Sequence, residues 1–196
     1  KSGTRHMFGV SRDPLRPSTL QNAGGSKIFQ WFLERSVDRN GNCVNYYYDT
    51  VTYDPSHRAA GIQTYLSRIS YTGTGTTDGP YTVEFIPEST VRPDPIVSCR
   101  SGFKVATAHR LSSVTVSYGG SAIRVYRFRY IEDSDLNPFR KSLLSQIDQE
   151  DGSGNLFNSH TFEYYDEITN GRGDYIGFDL DENWGGSFLD YLDPGT

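Results

Sequence analysis

The chain has 196 residues and a formal net charge of −5 at pH 7, from 19 Lys and Arg against 24 Asp and Glu. This mildly acidic balance argues against binding to nucleic acid, which needs a basic surface to neutralise phosphates. Aromatic residues make up 14 % of the chain, including 14 Tyr, and with 20 Gly this composition is typical of β-sheet.

The ends of the chain and its cysteines add little. No window of 18 consecutive apolar residues is present, so the sequence predicts no transmembrane span. Residues 1–4 are polar and unlike a signal peptide, and we expect the chain to be part of a longer protein. Cys43 and Cys99 are too few for a disulfide framework, and two unpaired thiols are favoured over one bridge.

The N-terminal part begins with a fragment and a loop. Residues 3–9 (GTRHMFG) resemble the second half of a hairpin. Residues 10–26 have two prolines and no periodicity, which predicts a loop. Residues 28–37 are predicted to be the first strong strand, with Trp31 as its bulkiest anchor. The dipeptide Asn40-Gly41 then favours a type I′ turn.

One hairpin unit recurs four times along the chain. The units begin at the entry leucines Leu33, Leu66, Leu111 and Leu144. In the last three, an apolar residue follows three positions later: Ile69, Val114 and Ile147. Each unit then has a turn, which includes Asn40-Gly41, residues 72–79, Gly119-Gly120 or Gly152. Each ends in an alternating strand, as in Tyr126, Phe128 and Tyr130 or in Phe162 and Tyr164. We predict that Trp31, the four entry leucines, the three apolar residues that follow them, Phe128 and Phe162 carry the structure, and we call them the framework residues.

A lone hairpin is marginal in water, so four in series predict one antiparallel sheet that grows by edge-to-edge addition. We therefore predict an all-β fold of tandem hairpins over residues 1–165, with short irregular connectors and little or no helix. The hairpins are placed at about 28–49, 64–87, 103–132 and 142–166. An ordinary β-sandwich, whose strands look alike because strands share a composition, is the alternative.

The connectors and the C-terminal segment have a different composition. Residues 54–61 and 133–141 are predicted loops. Residues 87–102 contain three prolines, which exclude a central strand and predict a segment crossing between pairs of hairpins. Residues 166–196 are acidic and Gly-rich, and are expected either to cap the sheet or to begin another module.

The residues with chemical potential do not form a recognisable active site. His6, His57, His109 and His160 are available as bases, but no Gly-x-Ser-x-Gly elbow surrounds a serine. Paired carboxylates for a glycosidase exist only as acidic clusters, which are more often solvated. An Arg-Gly-Asp tripeptide at residues 172–174 is most simply a chance string. We predict no catalytic residue.

Calcium is the metal that the acidic clusters favour, because it prefers closely spaced carboxylate oxygens. The weak candidates are Asp179, Asp181 and Asn183, and a second set is Asp148, Glu150, Asp151 and Asn155. Neither set matches an EF-hand, so a polar turn without an ion is the preferred interpretation. No cluster has zinc-ligand spacing, and we predict no resident cofactor.

The ordered motifs resemble bacterial Rhs/YD-repeat proteins, in particular the B component of insecticidal Tc toxin complexes, and are similar to the Salmonella plasmid virulence B protein. The resemblance rests on GTR and FG within residues 3–9, WFL at 31–33, DRNGN at 38–42 and YYY at 46–48, then YLSRI at 65–69, RPDP at 92–95, RSGF at 100–103 and LL at 143–144 with FEY at 162–164.

The resemblance implies a non-catalytic segment of a large secreted bacterial toxin or surface protein. In that family such repeats form a hollow shell around a cytotoxic polypeptide, with a β-propeller beside it. The expected partners are other segments of the same protein and toxin-complex subunits. A carbohydrate-binding or adhesive module is the alternative, because exposed tyrosines such as Tyr46 and Tyr126 could stack on sugar rings.

Overall fold

The computed structural model describes residues 3–9, 17–53, 60–131 and 141–164. Within these stretches the chain forms thirteen β-strands and no helix. The strands are β1 (Arg5–Phe8), β2 (Thr19–Gln21), β3 (Ile28–Trp31), β4 (Leu33–Val37), β5 (Asn42–Tyr53), β6 (Gly61–Thr74), β7 (Tyr81–Pro87), β8 (Ile96–Ser98), β9 (Val105–Thr107), β10 (Leu111–Tyr118), β11 (Ser121–Tyr130), β12 (Leu144–Asp151) and β13 (Leu156–Thr161). The predicted all-β class is confirmed.

Eleven of these strands belong to one sheet. Its main path runs β1-β4-β5-β6-β7-β10-β11-β12-β13, and every neighbouring pair on the path is antiparallel. The hairpins β4–β5, β6–β7, β10–β11 and β12–β13 therefore lie consecutively across it. The predicted sheet of tandem hairpins is confirmed as the architecture of the described residues.

The connector between β7 and β10, which we call the strap (residues 88–110), contains the two strands that leave the main path. β8 pairs with β9, and β9 reaches the main sheet through one parallel bridge from Val105 to Ile62. The side chain of Gln63 also donates to the hydroxyl of Thr107 at 3.0 Å. The strap thus turns back over the beginning of β6.

Three predictions about the N-terminal part are wrong. Residues 28–37 do not form one strand, because the chain changes sheet at Phe32: β3 pairs with β2, whereas β4 joins the main sheet. Residues 19–21, predicted as loop, form β2. The predicted anchor Trp31 has 55 % of its surface exposed. Phe32 holds the change of sheet, because its ring stacks on Tyr48 at 5.0 Å and its amide donates to the Ser18 carbonyl.

The interior contains an unusual share of polar side chains. The buried apolar residues are Leu20, Val37, Cys43, Tyr48, Ile62, Ala106 and Ala108. The buried polar residues include Glu34, Asn45, Thr64, Ser70, Arg110, Ser113, Ser117 and Asp148. The predicted framework residues Leu33, Leu66, Ile69, Leu111, Val114, Phe128, Leu144 and Ile147 are half-buried, and Phe162 is exposed. Buried polar groups need hydrogen-bond partners, and Thr64 and Ser70 find theirs in the carbonyls of Thr19 and Gly79.

Candidate functional site

The same kind of long-range hydrogen bond is found in three of the four hairpin units, namely the first, third and fourth. In each of these three, the hydroxyl of a tyrosine on the returning side of the hairpin donates to the carbonyl of the entry leucine, and we call this hydrogen bond the joint. The pairs are Tyr48 to Leu33 at 2.7 Å, Tyr130 to Leu111 at 2.9 Å and Tyr164 to Leu144 at 2.8 Å. When the register of each hairpin is continued by two residues to the entry leucine, the tyrosine lies one residue beyond the position opposite that leucine. The sequence repeat is therefore also a repeat of this joint.

The second unit lacks the joint. Its register pairs Arg68 with Glu84, and continuing this register places Ile86 opposite Leu66. The next residue, which corresponds to the tyrosine of the other units, is Pro87. A proline side chain has no hydroxyl to donate, and the pairing of β6 with β7 ends at Arg68. Sequence reasoning missed the joint, because the tyrosines follow their entry leucines by different numbers of residues, namely 15, 19 and 20.

Removing the joint hydroxyls is expected to have graded effects. Tyr48→Phe should lower the free energy of unfolding by about 1 kcal/mol, because it deletes one internal hydrogen bond. Burial raises the pKa of Tyr48 to about 12, and only 8 % of the residue is exposed. Tyr164→Phe should cost less, since Tyr164 is 39 % exposed and water can replace the lost donor. Urea denaturation measures both losses, and equal losses would contradict the role of burial.

The turns of the first and fourth units have the same side-chain bonding. Asp38 accepts hydrogen bonds from the amide of Asn42 at 2.9 Å and from its Nδ2 at 2.7 Å. Asp151 accepts from the amide and from Nδ2 of Asn155, both at 2.9 Å. The side-chain bond from the asparagine contributes most to lowering the pKa of each aspartate. The two turns are thus one motif, Asp-x-x-Gly-Asn.

The backbone of the first turn differs from the predicted type I′ geometry. Gly41 has a φ of +86°, but Thr72 is the single non-glycine residue with positive φ in the described part, so Asn40 is not left-handed. The amide of Gly41 donates to the Asp38 carbonyl, as in a type I turn followed by a left-handed glycine. In the turn at Gly119-Gly120 both residues have positive φ, which is the type I′ pattern.

A group of polar residues closes the strap on itself and joins it to Ser142, just before the fourth hairpin. We call this group the polar clamp: Glu88, Arg92, Asp94, Arg110 and Ser142. Arg110 donates to both carboxylate oxygens of Glu88, at 2.6 and 3.1 Å, and to the hydroxyl of Ser142 at 3.4 Å. Ser142 donates its hydroxyl and its amide to Asp94. Arg92 donates to the same carboxylate at 2.8 and 3.1 Å. Both strap carboxylates are therefore paired.

Because of the polar clamp, we expect the stability of the chain to fall in acid. Burial alone would raise the pKa of Asp94, but the hydrogen bonds from Arg92 and Ser142 outweigh it and hold the pKa well below its usual range. Because the pKa is lowered by folding, Asp94 contributes stability above its ordinary value of about 4, which is lost as the pH falls below that. We expect Asp94→Asn to be less stable than the parent chain at pH 7, and the difference to shrink towards pH 3 in urea denaturation. A difference independent of pH would contradict this linkage.

The candidate catalytic and metal residues are not brought together. His6 lies on β1 and His160 on β13, at opposite ends of the main path, and His109 lies in the strap. The carboxylate of Asp148 accepts hydrogen bonds from Gln146, Ser159 and Arg129. No group of three or more His, Cys, Asp or Glu that could hold a metal ion exists among the described residues. Asp179, Asp181, Asn183, His57 and the tripeptide at 172–174 lie outside them.

Tyrosines meet across three strands, but not as a flat platform. Tyr71, Tyr81 and Tyr118 are cross-strand neighbours on β6, β7 and β10. The first two rings stack at 5.1 Å with an interplanar angle of 17°, and the second and third lie 4.7 Å apart. Faces that cover each other are less available to a sugar ring. Carbohydrate binding therefore stays a prediction.

Comparisons with known proteins place this fold. No protein-family model and no characterised protein sequence matches the chain. Among solved structures, TcdB2-TccC3 matches with a TM-score of 0.64 at 17 % identity over 84 % of this chain and 10 % of that chain. The Tc holotoxin pore of Photorhabdus luminescens matches with a TM-score of 0.64 at 15 % identity, again over 84 % of this chain and 10 % of that chain.

A shorter protein also shares the fold. The N-terminal domain of the effector SpvB from Salmonella typhimurium strain LT2 matches with a TM-score of 0.60 at 15 % identity, over 83 % of this chain and 59 % of that chain. The predicted resemblance to Tc toxin and SpvB-type proteins is thus confirmed as a likeness of fold. The chain spans about a tenth of the length of the Tc chains. In the part that the structure describes, we find no helix of the length and hydropathy needed to cross a membrane.

Proposed function

We propose that this chain is a non-catalytic structural segment of a large secreted bacterial protein of the toxin-complex or YD-repeat type. It forms part of a shell wall, or a module flanking a propeller, and so encloses or docks a toxin component. The observation that carries the proposal is the run of four hairpins placed edge to edge in one sheet. The likeness of fold to Tc toxin and SpvB structures supports a toxin-related role.

The last strand of the main path supports continuation of the wall. Leu156 and Phe157 on β13 are 63 % and 76 % exposed. Because they are successive residues of a strand, their side chains point to opposite faces of the sheet. Apolar side chains at a sheet edge invite pairing with a further strand. The partners proposed are therefore neighbouring segments of the same protein and other subunits of a toxin complex, outside the bacterial cell.

The experiment tests enclosure in the intact parent protein. Leu156→Lys combined with Phe157→Lys should open the wall and make the enclosed polypeptide sensitive to an added protease. Asn158→Lys combined with His160→Lys is the matched control, because it adds the same charge on the same exposed strand without removing apolar surface. Equal protection of the toxin component in both variants would reject the wall role. A glycan array with reproducible binding to this chain would instead favour the adhesive module.

A further inference from the structure

A cavity of about 100 Å³ lies where β6 and β7 separate. The two strands pair as far as Arg68 and Glu84, and beyond that point they diverge. The cavity is lined by Leu66 and Ser67 from β6 and by Phe85 and Pro87 from β7, and its surface is mostly apolar. It opens to solvent on one side. The described residues thus leave a gap inside an otherwise continuous run of paired strands.

The cavity coincides with the missing joint of the second hairpin unit. Its walls include the entry leucine of that unit, Leu66, and Pro87, which occupies the position where the other units carry a tyrosine. In those units the tyrosine hydroxyl donates to the carbonyl of the entry leucine. The second unit therefore has a tyrosine-type site but supplies no tyrosine.

A polar group points to a ligand in this cavity. The hydroxyl of Ser67 is buried and has no hydrogen-bond partner. The register of β5 with β6 shows the cause, because Tyr47 opposes Arg68 and Tyr48 opposes Leu66, which leaves Ser67 as the extra residue of a β-bulge. A buried hydroxyl without a partner is costly, and a bound molecule with a polar atom would satisfy it.

A histidine of the strap that also lines the cavity provides an acceptor. Nδ1 of His109 lies 3.1 Å from the Glu88 carbonyl and 3.2 Å from the Thr90 carbonyl, so in the neutral ring this nitrogen carries the hydrogen. Nε2 of this lining residue is then the acceptor. The Tyr65 hydroxyl accepts from the His109 amide at 3.3 Å and so fixes this part of the strap.

We propose that the cavity binds the phenol ring of a tyrosine side chain supplied by a partner polypeptide. A phenol hydroxyl both donates and accepts, so it complements Nε2 of His109 and the hydroxyl of Ser67. The ring complements the apolar walls. An enclosed cavity of about 150 Å³ takes benzene, and this smaller cavity is open on one side, so that part of the ring remains outside it. This proposal stands independently of the wall role.

The test uses p-cresol as the tyrosine side-chain analogue, with toluene as its matched apolar control, titrated into the whole chain by two-dimensional NMR. We expect p-cresol to shift amides around Ser67 and His109 with a dissociation constant of roughly 1 mM, as suits a molecule of this size. Ser67→Ala should raise the dissociation constant of p-cresol about fivefold and leave that of toluene unchanged. Pro87→Tyr should abolish binding of both, because the new ring fills the cavity.

A second cavity-filling variant and a second ligand extend the test. Ser67→Leu adds an apolar side chain to the cavity from β6 and replaces Pro87→Tyr if that variant does not fold. N-acetyltyrosinamide should bind like p-cresol, and its failure would show a site for small phenols, not for a polypeptide side chain. The proposal is overturned if p-cresol gives no local shifts at 20 mM (roughly twenty times the expected dissociation constant), if toluene binds as tightly, or if a folded cavity-filling variant binds unchanged.

Discussion

Arg110→Ala is expected to lower the free energy of unfolding by about 3–5 kcal/mol, the typical cost of removing one partner from a buried ion pair. The side chain of Arg110 is 6 % exposed and that of Glu88 is 19 % exposed. Alanine would leave the Glu88 carboxylate without its guanidinium in a poorly solvated place. It would also remove the cation–π contact with Tyr130, whose ring centroid lies 4.3 Å from the guanidinium carbon. Urea denaturation measures the loss.

Arg68→Ala is the matched control. Arg68 also donates to a carboxylate, that of Asp78 at 3.3 Å, and also lies over a tyrosine ring, that of Tyr47. Its side chain is 38 % exposed and that of Asp78 is 33 % exposed, and a solvated pair of this kind contributes less than about 1 kcal/mol. Arg110→Lys should lie between the two, because it keeps the charge but loses the planar fork. A loss for Arg110→Ala no greater than that for Arg68→Ala would show that the polar clamp does not hold the strap.

Local patterns were sufficient to predict the hairpins and their order. The alternation in Tyr126, Phe128 and Tyr130 is a property of neighbouring residues, and so is the reversal at Gly119-Gly120. Once each unit is a hairpin with an unpaired edge, stacking it beside the next unit in the chain is the simplest way to satisfy both edges. This is why the confirmed part of the prediction is the class of fold and its antiparallel sheet.

Contacts between residues far apart in the chain could not be predicted in the same way. Ser142 and Asp94 meet across 48 positions, and no periodicity marks such a pair. The break at Phe32 was missed because residues 28–37 are apolar enough for one strand, whereas packing of the Phe32 ring on Tyr48 decides otherwise. The joint tyrosines carried no constant signal in the sequence, because they follow their entry leucines by 15, 19 and 20 residues. Their common position appears only in the register of the strands.

Gly152→Ala is expected to destabilise the chain by about 2–3 kcal/mol, at the upper end of the usual cost of overpacking. Gly152 lies in the fourth turn, but the positive φ there belongs to Gly154. A Cβ added at Gly152 would lie 2.0 Å from the carbonyl oxygen of Ala122, a backbone atom of the third unit that cannot rotate away. The glycine is therefore required by the contact between units. The same turn position in the first unit is Arg39, which is exposed.

Two alanine variants separate the contact from the turn. Ser153→Ala changes the exposed tip of the same turn, and Arg39→Ala changes the position of the first turn that corresponds to Gly152; both should cost less than about 0.5 kcal/mol. Hydrogen exchange should show that Gly152→Ala weakens protection first in β11 and β12, whose pairing ends at Arg124 and Asp151. If protection were lost evenly over all the strands, the effect would belong to the whole sheet. If Gly152→Ala cost no more than Ser153→Ala, the third and fourth units would not be held at the distance described, and their edge-to-edge packing would be looser than that of a continuous sheet.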